Sequence, residues 1–487
     1  MTLSFDPASP SFRCGHFIGG AFEAAEPVLS LHRPSDGVEF AGCPVADADV
    51  VDKAVRVARR AQKDSGWGTC RPRERTNALL RWADLIEQHA LELAQLEAVP
   101  STRLIGQLIA GDIAVTAEQI RFFAELADKE GGEVVPTAGN QFGLIVTEPY
   151  GVVAAITPWN FPLSMAGWKM APALAAGNAV VLKPSEMTPF ATLRMAELSV
   201  EAGIPAGLVN VVLGDGPVTG NALTGHPNIA KVSFTGSTGA GSAIMANVAR
   251  TGIKPMTLEL GGKSPQVVFA DADLALAADC IARSILFNGG QACVAGSRVI
   301  AHESIADELS DRLIKLMAQP GPGLGWEEET TYSPCISARQ RARVHSLVQA
   351  AIEEGAEVLT GARDMDHPGY FYQPTLLTNV SQDNTAVREE VFGPVLTLQT
   401  FGTEDEAFAL ADHPTYGLAA GVYTRDVSRA LKSLHRIEAG TIWINRYGRS
   451  RDHILPTGGY KSSGIGKDLG RDAYHANRRS KSVLIDL

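Results

Sequence analysis

The sequence holds no run close to the roughly 20 apolar residues that a membrane-spanning helix needs, and residues 1–10 lack the basic start and apolar stretch of a secretion signal. This predicts a cytoplasmic protein with no membrane partner. Positive charge is in deficit: 43 Lys and Arg against 54 Asp and Glu leave a formal net charge of -11. With no basic block to offset it, that balance repels a phosphate backbone and excludes nucleic acid as a partner. Cysteine is scarce, six in 487 residues and none closely paired, so no disulfide framework follows. The eleven histidines form neither a two-cysteine knuckle nor a His-x-x-x-His pair with an acidic companion, and no metal site is expected. Chemistry must therefore come from side chains and an organic cofactor. The chain is 45% hydrophobic and 20% charged, as soluble globular proteins are. Its length exceeds what one core fills, so two or more domains are expected.

Apolar spacing predicts helices over residues 47–64, 73–98 and 109–127, with Val99-Pro100-Ser101-Thr102 breaking the run, so the first roughly 130 residues read as a helical layer. From Gly151 the pattern changes. Apolar runs at 151–157, 178–183, 209–214, 231–236 and 256–260 alternate with helical stretches, the pattern of a parallel sheet covered on both faces. A second alternation starts at Pro265, with strands expected at 265–269, 298–302, 374–380, 395–401, 418–424 and 440–445, and an amphipathic helix over 338–353. Two α/β units joined near residue 260 are predicted. Residues 141–150 read as an extended arm, and the chain ends on the apolar run Val483-Leu484-Ile485. An exposed apolar edge strand invites pairing, either with another chain or on the chain's own sheet.

Ligands of a parallel sheet bind beyond the carboxyl ends of its strands. There, Lys183-Pro184-Ser185-Glu186 offers an ammonium and a carboxylate, and a carboxylate that accepts from ribose hydroxyls disfavours a 2'-phosphate. Phe234-Thr235-Gly236-Ser237-Thr238-Gly239-Ala240-Gly241 leads from strand to helix and bares amides suited to a pyrophosphate. Its Gly-x-x-Gly-x-Gly order is not the usual dinucleotide fingerprint, and a plain tight turn explains the segment as well.

Phe287-Asn288-Gly289-Gly290-Gln291-Ala292-Cys293-Val294 crowds small residues around a thiol on a loop, where backbone amides favour the nucleophilic thiolate. Cys280, inside the preceding apolar helix, reads as a small core hydrophobe. Leu258-Glu259-Leu260-Gly261-Gly262-Lys263 sets a carboxylate among apolar residues at the join of the units. Burial would raise it toward a working general base, whereas pairing with Lys263 is the plainer alternative. In Thr157-Pro158-Trp159-Asn160-Phe161-Pro162 the asparagine amide suits a developing oxyanion, although Asn between prolines is also ordinary turn material.

Together, and in this order from about Gly19 to the C-terminal strand, these segments resemble the aldehyde dehydrogenase superfamily. The resemblance implies an α/β, aldehyde dehydrogenase-like fold: a Rossmann-type parallel-sheet NAD-binding domain (residues 1–130 and 151–260), an α/β catalytic domain (261–472) and a small β oligomerisation arm (131–150 and 473–487). It implies that Cys293 attacks the aldehyde, that the Asn160 amide and the Cys293 backbone N–H hold the oxyanion, and that Glu259 activates the water that hydrolyses the thioester. NAD is the implied cofactor, NADP the other acceptor of the family, with Trp159, Lys183, Glu186, Gly236 and Ser237 on its binding side. Glu389-Glu390-Val391-Phe392-Gly393-Pro394 resembles a second cofactor segment, in which Glu390 holds the nicotinamide ribose and Phe392 packs near the ring. A homodimer or homotetramer is implied.

Phe161, Met165 and Trp168 are expected to line the substrate tunnel. The segment Pro456-Thr457-Gly458-Gly459 has Thr457 where many relatives carry Phe, and Arg446, Arg449, Arg451 and His453 occupy the mouth loop. These polar residues predict a polar, carboxylate-bearing aldehyde, because a guanidinium fork binds a carboxylate in bidentate fashion. The opposing reading has them facing water. Two other outcomes stay open: acyl transfer to coenzyme A, which needs Glu259 less, and a non-catalytic binding protein, which needs none of the three residues.

Overall fold

The computed structural model describes residues 2–319, 321–448 and 453–487. The helix Ala48–Asp64 starts where the Asp47 carboxylate accepts from the Asp49 and Val50 amides at 3.0 Å, which satisfies donors a helix start would leave orphaned. It buries Val51, Ala54, Val55 and Ala58 on one face. The helix expected over 73–98 is two, Pro72–Gln88 and Ala90–Ala98, parted at His89. The one expected over 109–127 opens with a π turn, Leu108–Asp112, before Ile113–Leu126.

The reading of the first 130 residues as purely helical is corrected by two hairpins. Gly15–Ile18 pairs with Ala21–Ala24, and Leu29–His32 with Glu39–Cys43. Gly19 and Gly20, at φ +67° and +87°, make the first turn, as a two-residue hairpin loop requires. Four-residue strands carry too few alternations for a period of two to stand out.

Eight strands form the first sheet, in the order Ala21–Ala24, Gly15–Ile18, Val209–Val211, Ala179–Lys183, Val152–Ile156, Lys231–Thr235, Met256–Glu259 and Gly464–Ile465. The five from Val209 to Glu259 in this order run parallel. The chain winds outward one way from Val152–Ile156, then returns and winds the other way from Lys231–Thr235. The gap between those two strands is a topological switch point, where such sheets bind ligands. The Asn160 loop and the Gly236 loop both leave from it. The second sheet runs Glu357–Thr360, Thr375–Thr378, Val395–Phe401, Arg298–His302, Pro265–Val268, Ala419–Tyr423, Thr441–Ile444. Only its first strand is antiparallel to its neighbour.

Residues 260–264 carry the chain from the first sheet to the second, and two glycines there answer close approaches. A Cβ on Gly261 would stand 2.2 Å from Glu390 Oε2, and one on Gly262 would stand 2.5 Å from the Cys293 carbonyl oxygen. The crossing is thus where the Glu390 segment and the thiol loop meet. Residues 464–474 side with the first unit: Gly464–Ile465 extends its sheet, and Leu469, Ala473 and Tyr474 belong to its core. Gln141–Pro149 pairs with Arg478–Asp486 over nine residues, with Glu133–Val135 on its far side. The C-terminal strand is therefore paired within the chain along one edge only, and Leu484 and Ile485 are exposed. No helix among the described residues is long and apolar enough to cross a membrane. No group of three or more His, Cys, Asp or Glu among them could hold a metal ion.

Candidate active site

At the switch point, the Asn160 side chain is buried and its Nδ2 donates to the Gln291 carbonyl at 3.0 Å, two residues before Cys293. The thiol loop is held by amides. Asn288, Gly289 and Gly290 are all left-handed, at φ +53°, +57° and +74°, a conformation that glycine adopts freely and that at Asn288 is held by its surroundings. Gln291 supplies part of that: its Nε2 donates to the Asn288 and Pro334 carbonyls, both at 2.8 Å, and its Oε1 accepts from the Ile336 amide at 2.9 Å.

Cys293, half-buried, faces a cavity of about 570 Å³. Phe161, Met165, Trp168, Phe287, Trp443 and Tyr447 form its walls, with Phe161 stacked on Phe287 at 5.7 Å. Asp112 and Gln119 interrupt one wall, and Arg446 and His453 stand at another. The expected pocket residues thus divide. Phe161, Met165 and Trp168 face the cavity; Arg449 and Arg451 lie outside the described residues. Thr457 is buried, its backbone paired with Asp468, and only its neighbour Pro456 reaches the cavity wall.

Glu259 ends the strand Met256–Glu259, buried, with its carbonyl accepting from the Gly236 amide at 3.0 Å. A Cβ on Gly458 would stand 2.9 Å from its Oε1. Lys263, the alternative partner for it, is also buried. Burial, with Arg298 nearby, brings the Lys263 ammonium down to about 7, and the carboxylates that pull it back up are Glu390 and Glu389.

On the nucleotide side, the Lys183 Nζ donates to the Pro184 carbonyl at 2.9 Å and lies 3.6 Å from Glu186 Oε2. Burial lowers its pKa and Glu186 raises it. Ser237 caps the helix Thr238–Thr251, accepting from the Ala240 amide at 3.2 Å. Nothing lies within 4 Å of where a Cβ on Gly239 would be, so this helix start is open, with Gly236 just before it. The Glu390 Oε1 accepts from the Gly262 amide at 3.0 Å, and burial pushes its carboxyl up to about 7 against the pull of that bond and of Lys263. Phe392, left-handed at φ +54°, turns its ring onto Trp159, centroids 5.4 Å apart. That contact joins the Trp159 and Phe392 segments, which lie far apart in the sequence.

Residues that sequence reasoning missed are buried charges in and around the helices that pack on the first sheet. Lys169 pairs with Asp468 and also donates to the Phe234 carbonyl at 3.4 Å. Arg103 grips Asp112 at 2.7 Å. Glu97 Oε2 accepts from the Leu163 amide at 3.0 Å, just beyond Asn160. For Lys169 and Glu97 the sequence signal was a charged residue among the apolar positions of a helix, whereas Arg103 stands in the break between helices. Burial pushes the Glu97 carboxyl up from 4.5 to about 8, Asp112 adds to the rise, and Arg103 opposes it. Between those two pH values the folded chain binds the proton more than the unfolded chain does. Stability from this group is therefore full below about 4.5 and lost as pH rises toward 8. Glu97→Gln, which cannot ionise, should gain on the parent protein by about 3 kcal/mol between pH 5 and pH 8 in urea unfolding. An equal gap at both pH values would mean Glu97 is already ionised at pH 5.

A model of the aldehyde dehydrogenase family matches residues 22–483. A Bacillus subtilis protein carrying an aldehyde dehydrogenase name is 41% identical over 473 residues, 97% of this chain and 95% of that protein. A mutant of the P. syringae indole-3-acetaldehyde dehydrogenase, in complex with NAD+ and IAA, superposes with a TM-score of 0.96 at 38% identity, covering 99% of this chain and 98% of that one. The NAD+ complex of a Bacillus cereus aldehyde dehydrogenase superposes with the same TM-score of 0.96 at 39% identity over 100% of both chains.

Proposed function

This chain belongs to the aldehyde dehydrogenase family and is an NAD-dependent oxidoreductase, and from that premise we propose that it oxidises an apolar aldehyde to the acid through a thioester on Cys293. One observation carries the proposal: the Asn160 amide and the Cys293 loop are tied by a 3.0 Å hydrogen bond where a large cavity meets the switch point.

The residues fit the cofactor. A buried ammonium beside a carboxylate, Lys183 and Glu186, suits a ribose diol; the open helix start after Gly236 and Ser237 suits a pyrophosphate; Glu390, Phe392 and Trp159 suit the second ribose and the ring. When bound, NAD supplies the acceptor for a hydride. The Cys293 thiolate adds to the aldehyde carbon, forming the C–S bond. The second N–H of the Asn160 amide and the Cys293 backbone N–H receive the oxyanion. Loss of hydride from that carbon leaves the thioester. Glu259 then takes a proton from water as its oxygen adds to the acyl carbon, and the C–S bond breaks to free the acid.

The cavity walls favour an apolar substrate over the polar, carboxylate-bearing one expected. Six apolar or aromatic side chains surround the approach to the thiol, Arg446 gives an N–H to the Gly448 carbonyl at 3.2 Å, and the other two arginines are not among the described residues. Burying an aryl ring there gains on the order of 25 cal/mol per Å², whereas a carboxylate would give up its hydration among these aromatic walls and recover it only by reaching Arg283, Arg446 or His453. Phenylacetaldehyde and hexanal should show kcat/KM at least about 10-fold above succinic semialdehyde, from NADH formation, since an aromatic pocket discriminates by 1–3 kcal/mol per group. With Glu186 against a 2'-phosphate, NAD should outperform NADP in the same assay. A preference for succinic semialdehyde would restore the carboxylate-bearing reading, and silence across the panel would remove the proposed reaction.

A further inference from the structure

The two catalytic segments are held together by a turn that belongs to neither. Val99-Pro100-Ser101-Thr102 breaks the helical layer, and there Thr102 and Arg103 are each 1% exposed. The Thr102 hydroxyl donates to Asn288 Oδ1 at 2.6 Å. The Asn288 Nδ2, fully buried, donates in turn to the Asn160 carbonyl at 3.1 Å and to the Gln291 carbonyl at 3.2 Å. One primary amide thus spans both segments, and it does so from a left-handed residue. Arg103 makes the second grip. Its guanidinium, anchored on Asp112, lies 4.9 Å from the Phe161 ring and 4.5 Å from the Phe287 ring, the residues adjoining Asn160 and Asn288.

From this geometry we infer that Thr102 is a positioning residue for the oxyanion pocket, acting through Asn288. Neither residue lines the cavity. With the Thr102 hydroxyl gone, Asn288 Oδ1 is a buried acceptor without a donor, a costly state. The strained turn 288–290 relaxes to escape it, and the Gln291 carbonyl moves with the turn. That carbonyl also fixes the Asn160 amide, so the separation between amide and thiol changes. The inference rests on the roles proposed above for Cys293 and Asn160.

The test compares Thr102→Val and Thr102→Ser with the parent in the full chain with NAD. Three readouts separate positioning from general damage. Hydrolysis of p-nitrophenyl acetate by Cys293 needs the oxyanion pocket but no hydride transfer; alkylation of Cys293 by iodoacetamide needs only the thiolate; aldehyde oxidation needs everything. Thr102→Val should lose about 10- to 100-fold in ester hydrolysis and in aldehyde kcat. KM and the alkylation rate should stay within about threefold, because neither senses the oxyanion. Thr102→Ser should recover most of the loss. Unchanged ester hydrolysis in Thr102→Val, a parallel fall in alkylation, or no recovery by Ser would each overturn the inference while leaving the proposed reaction standing. If Thr102→Val fails to fold, Arg103→Gln is read against the same criteria. A parent protein inactive on both ester and aldehydes would remove the oxyanion pocket, and the inference with it.

Discussion

Cys293→Ala should lower aldehyde oxidation at least about 10⁴-fold, because the covalent step that splits the reaction in two disappears with the sulfur. NAD affinity, measured by calorimetry, should remain within about threefold, since the residues assigned to the cofactor form the ribose, pyrophosphate and ring positions without the thiol. The cavity makes the experiment more demanding than usual, because it holds a second thiol. Cys280 also faces it, with Arg283 Nη2 donating to its Sγ at 3.6 Å. Cys280 sits on the helix Leu274–Leu286, away from the Asn160 amide, whereas Cys293 follows Gln291 on the loop that this amide holds. Residual activity in Cys293→Ala that vanishes only when Cys280 is also replaced would transfer the nucleophile to Cys280. Activity that survives both substitutions would end the thioester mechanism.

The parts legible in the sequence are those written in contiguous residues. Strands buried on both faces appear as apolar runs, so the central strands of each sheet were readable to within a residue or two at most ends, the run at 209–214 outlasting its strand Val209–Val211 by three. The Asn160 and Gly236 segments could be read for the same reason, each being a strand end and the loop after it, and the Cys293 segment because it fills the short loop between an apolar helix and an apolar strand. What was not readable is made by tertiary contact. Thr102 and Asn288 are 186 positions apart, and no local pattern joins a helix break to a thiol loop. The cavity wall draws Phe161, Phe287 and Trp443 from three separate segments, and its aromatic character shows only once they converge. Thr457, read as a pocket residue by its place in the chain, is turned away by its backbone pairing with Asp468. The short N-terminal hairpins were hidden by their length.

Glu259→Gln is expected to separate the two half-reactions. The exchange keeps shape and volume, which matters where Gly458 leaves so little room beside the carboxylate, so the fold should tolerate it. Removing a general base of this kind costs about 10²- to 10⁴-fold, and the loss should fall on release of the acid and not on its formation. Rapid mixing with NAD and phenylacetaldehyde should therefore give a burst of about one NADH per Cys293, followed by a steady rate lower by that factor. The accumulated thioester should carry the acyl mass on the protein. Hydroxylamine, nucleophilic without a base, should restore turnover, and coenzyme A should do so only if the cavity admits its thiol. A parent enzyme that needs coenzyme A for turnover, together with a Glu259→Gln variant of undiminished rate, would make the chain an acyl-transferring member of the family. A burst without steady turnover, relieved by hydroxylamine, assigns water activation to Glu259, because the carboxylate is then needed only for the nucleophile that cannot attack unaided.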